Sequence, residues 1–385
     1  MPTAISSDEL IASAQTLAPL IAEHAPEAER QRRPADEVID ALSDARIFEL
    51  MVPEAHGGLE LDIDTFLEVG LTLAAVDASI SWLTSFFIVH NWMLCQFPIE
   101  FQNELYEATS CVLAPAPLKP SGMAEPTKGG YLLSGRWQWA TGVTHSPDWI
   151  LCGALRPNPA GPPELMLVAV PRSEVTVEDV WFTDGMCATG SNDIIIDGAF
   201  IPFERTLTVA PLAEGIGSPV HDTPLYRTPF LLCIILGVGA PAVGQARAAV
   251  RQFHERIQSR VMFGGTLQRD KASAHMTLAK ADLEAGQAEQ LLRSVATEAM
   301  DLRNSATVED RARLTATVAL AVDQSKQVIR TISAASGASA HFLDDPLQRA
   351  LRDVEILSSH FVLNLEARTE LLGRTMLGLD PGGLV

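Results

Sequence analysis

The sequence predicts a mainly helical α+β fold in three successive parts. Helices occupy residues 1–110, a compact β region residues 111–215, and a helical bundle residues 216–385. Three observations predict it. The first part reads as helices broken by the turn from Pro53 to Gly58, where proline and paired glycines punctuate the pattern. The middle is rich in proline, glycine, tryptophan and short apolar runs of strand length. In the last part Ala281, Ala285, Ala288, Leu292, Val295 and Ala299 alternate steps of four and three, the stripe of a helix packed closely on a neighbour.

The runs Trp149 to Leu155 and Leu165 to Val170 predict buried strands, and Gly198 with Pro202 closes another. The proline- and glycine-bearing stretch from Pro202 to Pro229 reads as the connector into the bundle. The apolar run from Phe230 to Ala240 is too short to span a bilayer and predicts a core helix. Leu347, Leu351, Val354, Ser358, Phe361 and Leu365 keep the helical spacing and predict one last long helix carrying Arg352, Asp353 and His360.

A chain of 385 residues has room for two or three domains and a buried site. Acidic residues outnumber basic ones 48 to 28, for a net charge of −20. That excludes nucleic acid and anionic membrane as expected partners, since both demand a basic face. The five cysteines (Cys95, Cys111, Cys152, Cys187 and Cys233) form no C-x-x-C pair. They predict buried thiols in a reducing cytoplasm rather than a disulfide or zinc framework, and no metal site is expected. No basic stretch followed by an apolar one opens the chain, which agrees with a cytoplasmic location.

The β region carries the first chemical signal. Leu133, Gly135, Trp137, Trp139 and Thr141 fall on alternate positions, so a strand places both tryptophans and the threonine on one face. Wide rings beside a hydroxyl suit a planar aromatic ligand. Two core tryptophans of a β sandwich would give the same spacing.

Around this strand the chain resembles the acyl-CoA dehydrogenase fold, a flavoprotein superfamily. Trp139-Ala140-Thr141-Gly142 looks like its flavin-side strand end, and Gly185-Met186-Cys187-Ala188-Thr189-Gly190-Ser191-Asn192-Asp193 is similar to its glycine-rich turn. Val52-Pro53 with Gly57-Gly58 matches an N-terminal turn, and Arg260 with Phe263-Gly264 matches a segment whose arginine, in the family, reaches a neighbouring subunit's cofactor phosphates. The resemblance implies an α-helical domain, a β-barrel-like middle, a four-helix C-terminal bundle, a homotetramer and a bound flavin. A guanidinium at Arg260 can pair with phosphate, and the segment Ser336-Gly337-Ala338-Ser339 lets backbone approach it.

Two chemistries are open on this fold. An acyl-CoA dehydrogenase needs a carboxylate base, which many members carry in a Tyr-Glu-Gly-Thr segment after the Arg-Asp pair. Here Arg352-Asp353 is followed by Ser358-Ser359-His360-Phe361, and Glu355, Glu366 and Glu370 lie outside that motif. A base on another helix, or a nitroalkane-type oxidase, keeps the first reading available, and a non-catalytic flavin-binding relative is a third. The substitution instead resembles the two-component flavin-dependent monooxygenases of this fold. Ser81-Trp82 and His90-Asn91-Trp92-Met93-Leu94 followed by Phe97-Pro98 look like that branch as well.

That resemblance implies an oxygenase fed with reduced flavin (FADH2 or FMNH2) by a separate NAD(P)H-dependent reductase. Oxygen then gives a C4a-hydroperoxide, which oxygenates an aromatic or polycyclic substrate such as a phenol, indole, steroid ring or polyketide. Thr141 is the expected hydrogen-bond partner of the flavin or its peroxide. His360 is the expected base, since imidazole accepts a proton near neutral pH. On a continuous helix, Asp353, His360 and Asn364 would share one side and orient the ring. Trp82 and His90 form the opposite wall. Trp139, Gly142, Arg260, Phe263, Gly337 and Ser339 complete the expected cofactor contacts, and His145 is a weaker candidate beyond Thr141.

Overall fold

In the computed structural model, which describes residues 5–218 and 220–385, six helices come first. They are α1 (Ser7–Thr16), α2 (Ala18–Gln31), α3 (Asp36–Asp44), α4 (Ile63–Ala74), α5 (Ala78–Leu94) and α6 (Ile99–Leu105). A capping box between Ser6 and Glu9 starts α1. Asp77 starts α5 by accepting the Ile80 N–H at 2.9 Å. All but one residue of α5 are buried, so this helix threads the interior and presents side chains in every direction.

The described residues form seven strands: β1 (Gly122–Thr127), β2 (Gly130–Ala140), β3 (Trp149–Arg156), β4 (Glu164–Pro171), β5 (Thr176–Glu178), β6 (Asn192–Pro202) and β7 (Thr206–Thr208). They form one mixed sheet in the order β5-β6-β2-β1-β3-β4-β7. Residues of β1, β2, β3, β4 and β6 fill a common core, so the sheet curls in a barrel-like way around its own apolar centre. Both predicted buried strands are β3 and β4. The expected connector contributes more than a link, because β7 pairs with β4 and a short helix, α7 (Val209–Ala213), follows it.

Three long helices build the bundle: α8 (Phe230–Ser259), α9 (Ala272–Asp301) and α10 (Val308–Ser336). The alanine stripe of α9 is buried throughout, as its spacing predicts. Helix α8 is long and apolar enough to cross a membrane, yet 94% of its apolar window is buried inside the protein. Gly244 and Gly239 let it approach closely: an added Cβ would lie 2.4 Å from Ala74 and 2.7 Å from Val318.

The fourth position of the bundle corrects the expectation of one last long helix. It holds two short helices, α11 (Pro346–Leu357) and α12 (Leu365–Met376). Polar side chains explain the break. The Ser359 hydroxyl donates back to the Ile356 carbonyl at 2.6 Å, and Asn364 accepts the Ala367 N–H at 2.8 Å to cap α12. His360 therefore stands in the turn between two helices, not on one.

Candidate active site

One wall is a ladder of rings on α5. Trp82, Phe86 and His90 are spaced by four and share a face. Trp82 meets Phe86 edge-on with centroids 4.9 Å apart, and Phe86 stacks on His90 at 5.3 Å. The His90 Nδ1 lies 2.7 Å from the Ala114 carbonyl. A carbonyl only accepts, so Nδ1 carries the proton and Nε2 presents a lone pair. Burial pushes the imidazole down to about 4, so His90 is neutral.

The turn between α11 and α12 supplies the facing histidine. The His360 ring meets Trp82 edge-on at 5.5 Å. Its Nδ1 is enclosed and has no hydrogen-bond partner among the described residues. Burial first, and the Arg368 charge second, push this imidazole down to about 4. Arg368 is itself only 5% exposed. Its guanidinium donates to the carbonyls of Val362 (3.0 Å) and Leu384 (2.8 Å). Among the described residues no carboxylate lies within 4.0 Å of it. An unbalanced positive charge thus stands beside a neutral, unsatisfied imidazole.

The expected orienting partners do not serve His360. Asn364 caps α12, and the Asp353 carboxylate accepts the Met186 N–H at 2.5 Å instead. Burial and the nearby Asp77 push Asp353 up to about 7. Asp77 in turn lies 3.6 Å from Arg349. These carboxyls join α5, α11 and the glycine-rich turn at a buried junction.

On the β side the alternation fails at one residue. Trp137 is a core residue whose indole N–H donates to the Gly153 carbonyl at 2.7 Å. Between Trp137 and Ala140 the register shifts in a bulge, and Trp139 adopts φ +68°. Its ring is consequently 57% exposed, so the two tryptophans do not share a face. Such a φ is unusual for a bulky residue. The buried Asp193 carboxylate helps hold it, accepting from Arg136 at 2.9 Å and from the Trp139 N–H at 3.4 Å. Asn192 accepts the N–H groups of Val180 and Trp181. The last two residues of the glycine-rich motif thereby fix the backbone around the strand end.

Thr141 and Gly142 form the turn after this strand, against α5. Gly142 has φ +74°, and an added Cβ would lie 2.6 Å from the Phe87 ring, so glycine is required on both counts. The Thr141 hydroxyl is buried, 2.9 Å from the Ser191 hydroxyl, which is 2.7 Å from that of Thr189. His145, by contrast, bonds outward to Arg33 and Asp36.

A second cluster gathers at the end of α8. The Arg260 guanidinium donates to Gln268 Oε1 (3.1 Å) and the Ala335 carbonyl (3.3 Å), with no carboxylate partner among the described residues. Its Nη2 occupies the space where a Cβ on Gly337 would stand. The Ser339 hydroxyl accepts from Arg256, which also pairs with Asp345 at 2.7 Å. Phe263 sits fully exposed on a short hairpin turned by Gly264 and Gly265.

These features fit a flavin. A guanidinium that meets no carboxylate among the described residues, packed on a glycine, suits its phosphate, and an exposed indole near a buried hydroxyl suits its ring system. Of the residues expected from sequence, Trp82, His90 and His360 come together through ring contacts, and Thr141 with Gly142 closes on the same helix. Arg260, Gly337 and Ser339 assemble separately. Sequence reading missed Phe86, Ser191, Thr189 and Arg368. Phe86 was legible from its spacing between Trp82 and His90; Arg368 carries no local signal.

Comparisons with known proteins agree. Residues 10–105 match the model of the acyl-CoA dehydrogenase N-terminal domain and residues 236–365 that of the C-terminal domain. A pigment production hydroxylase of Rhodococcus sp. is 32% identical over 98% of this chain and 99% of its own. The flavin-dependent monooxygenase oxygenase subunit HsaA of Mycobacterium tuberculosis is 30% identical over 98% of this chain and 97% of its own. Its crystal structure superposes with a TM-score of 0.91 over 98% of this chain and 99% of the other. The oxygenase component of an FADH2-dependent resorcinol hydroxylase from Rhizobium sp. is 29% identical over 97% and 95% of the two chains. The chain belongs to the flavin-dependent monooxygenases built on the acyl-CoA dehydrogenase fold.

Proposed function

We propose that this enzyme is the oxygenase component of a two-component monooxygenase. It takes reduced flavin from a separate NAD(P)H-dependent reductase and, with O2, oxygenates an aromatic substrate of phenol type. The observation that carries this reading is His360: a neutral imidazole with an enclosed, unpartnered nitrogen beside the unbalanced charge of Arg368. Bound reduced flavin supplies the two electrons by which one oxygen atom enters the ring and the other leaves as water.

The side chains then divide the work. His360 accepts the phenolic proton, and Arg368 offsets the negative charge left on the substrate. The rings of Trp82 and Phe86 flank the substrate and keep water out. His90 offers Nε2 as an acceptor on the same wall. Thr141 bonds the flavin ring system, Trp139 covers it, and Arg260 with Gly337 and Ser339 would meet the phosphates of a neighbouring copy's flavin. FAD and FMN share the ring end that Thr141 meets, so both stand as cofactors.

Phe263, fully exposed beside Arg260, supports a homotetramer in which this hairpin touches a neighbouring copy. The five unpaired thiols support a cytoplasmic location. The net charge of −20 supports neither a nucleic-acid nor a membrane partner.

A panel of phenols, indoles, steroids and polyketides, incubated with a flavin reductase and NADH and read by mass, tests the reading. A product heavier by one oxygen atom is expected. Hydrogen peroxide alone from every compound, or desaturation of an acyl-CoA thioester, would overturn it.

A further inference from the structure

The Thr141 hydroxyl does not stand alone, and counting protons along its chain fixes its direction. The Thr189 Oγ1 lies 2.9 Å from the Met186 carbonyl, and a carbonyl cannot donate, so the Thr189 proton points there. At the 2.7 Å contact between Thr189 and Ser191, the only remaining proton belongs to Ser191. At the 2.9 Å contact between Ser191 and Thr141 it belongs, by the same count, to Thr141. The chain runs one way: Thr141 to Ser191 to Thr189 to the Met186 carbonyl. All three hydroxyl residues are buried, which keeps water from supplying alternative partners. Among the described residues Thr141 Oγ1 has no other hydrogen-bond partner, so what it offers a ligand is a lone pair.

Resting on the reading of Thr141 as a flavin contact, taken at the N5 edge of the ring system, we propose that Ser191 and Thr189 are positioning residues that make the site selective for reduced flavin. The N5 edge of flavin inverts its polarity with redox state. Oxidised N5 has a lone pair and accepts; reduced N5 carries N–H and donates. A hydroxyl locked to donate toward Ser191 complements the reduced form and opposes the oxidised one with two facing lone pairs. The device lets the enzyme capture flavin as a reductase releases it and discharge it once oxidised. No proton or electron moves in this step; only hydrogen-bond polarity is read.

The test measures dissociation constants of oxidised and anaerobically reduced flavin, by fluorescence and equilibrium dialysis, for the full chain and its variants. The unaltered protein is expected to bind the reduced form more tightly. Ser191→Ala frees the Thr141 proton to turn toward oxidised N5, so the ratio of the two constants falls by about 3- to 10-fold, the usual worth of one hydrogen bond. Thr189→Val lowers it in the same direction, and Ser191→Thr restores it. In a Thr141→Val background, Ser191→Ala adds nothing further. An unchanged ratio in Ser191→Ala and Thr189→Val with unaltered melting overturns the proposal while leaving the monooxygenase reading intact. So does an equal effect in the Thr141→Val background. Failure of the unaltered protein to bind either flavin overturns both.

Discussion

The two walls that meet at Trp82 and His360 are built by opposite means. The α5 wall is one unbroken helix whose i, i+4 spacing alone aligns Trp82, Phe86 and His90. The His360 wall is an interruption, a turn between α11 and α12 held by an asparagine cap and by an arginine that donates to two carbonyls. The first resists change because every turn of the helix supports it. The second is placed by a few bonds, each of which can be removed singly.

His360→Ala is the sharpest way to separate the walls. Product formation with a supplied reductase should fall roughly 100- to 10,000-fold, the span of a lost acid–base group. Reduced flavin should still bind, with peroxide released in place of product; retained hydroxylation would assign the chemistry to α5 instead. Arg368→Met comes next. It leaves two inward carbonyls without their donor and should cost about 2–3 kcal/mol in a denaturant titration. It also removes a charge that holds the His360 imidazole low, so the pH profile of product formation should shift upward. Should neither quantity move, the turn is held by something other than Arg368.

Asn364→Ala probes the same turn more gently. Loss of the cap should cost about 1 kcal/mol and a small drop in melting temperature. Asp353→Asn reads the junction beneath both walls. The Asp353 carboxyl is raised to about 7 against an ordinary value of 3.8. Its folded form therefore keeps a proton that the unfolded chain loses, and that stabilisation, full below about pH 4, disappears as pH rises through 7. Asparagine cannot ionise and can still accept from Met186. The variant should gain on the unaltered protein by roughly 2–4 °C as pH goes from 4 to 8. A constant difference over that window would mean that Asp353 ionises freely.

The same contrast explains what the sequence disclosed. Helix, sheet and bundle were legible because periodicity survives where elements are regular: the α9 stripe, strands β3 and β4, and the α5 ladder. His360 was legible as a residue and misread as a position. The apolar spacing runs on through Ser358 and Phe361, while the two serines and Asn364 end one helix and start another. Trp139 failed likewise. A bulge secured by Asp193, fifty-four residues away, turns its ring out of line with Trp137. The link from Thr141 to Ser191, fifty residues apart, was hidden for the same reason, while Arg368 bonds only backbone carbonyls and so leaves no residue pattern to read.

The proposed function has this enzyme transfer one atom of O2 to an aromatic ring. Turnover under isotope-labelled oxygen gas, with reduced flavin supplied by a reductase and the product read by mass, tests it most directly. One labelled oxygen atom in the hydroxylated product is predicted. A product whose new oxygen comes from water, or a thioester oxidised with all label recovered as peroxide, would contradict it.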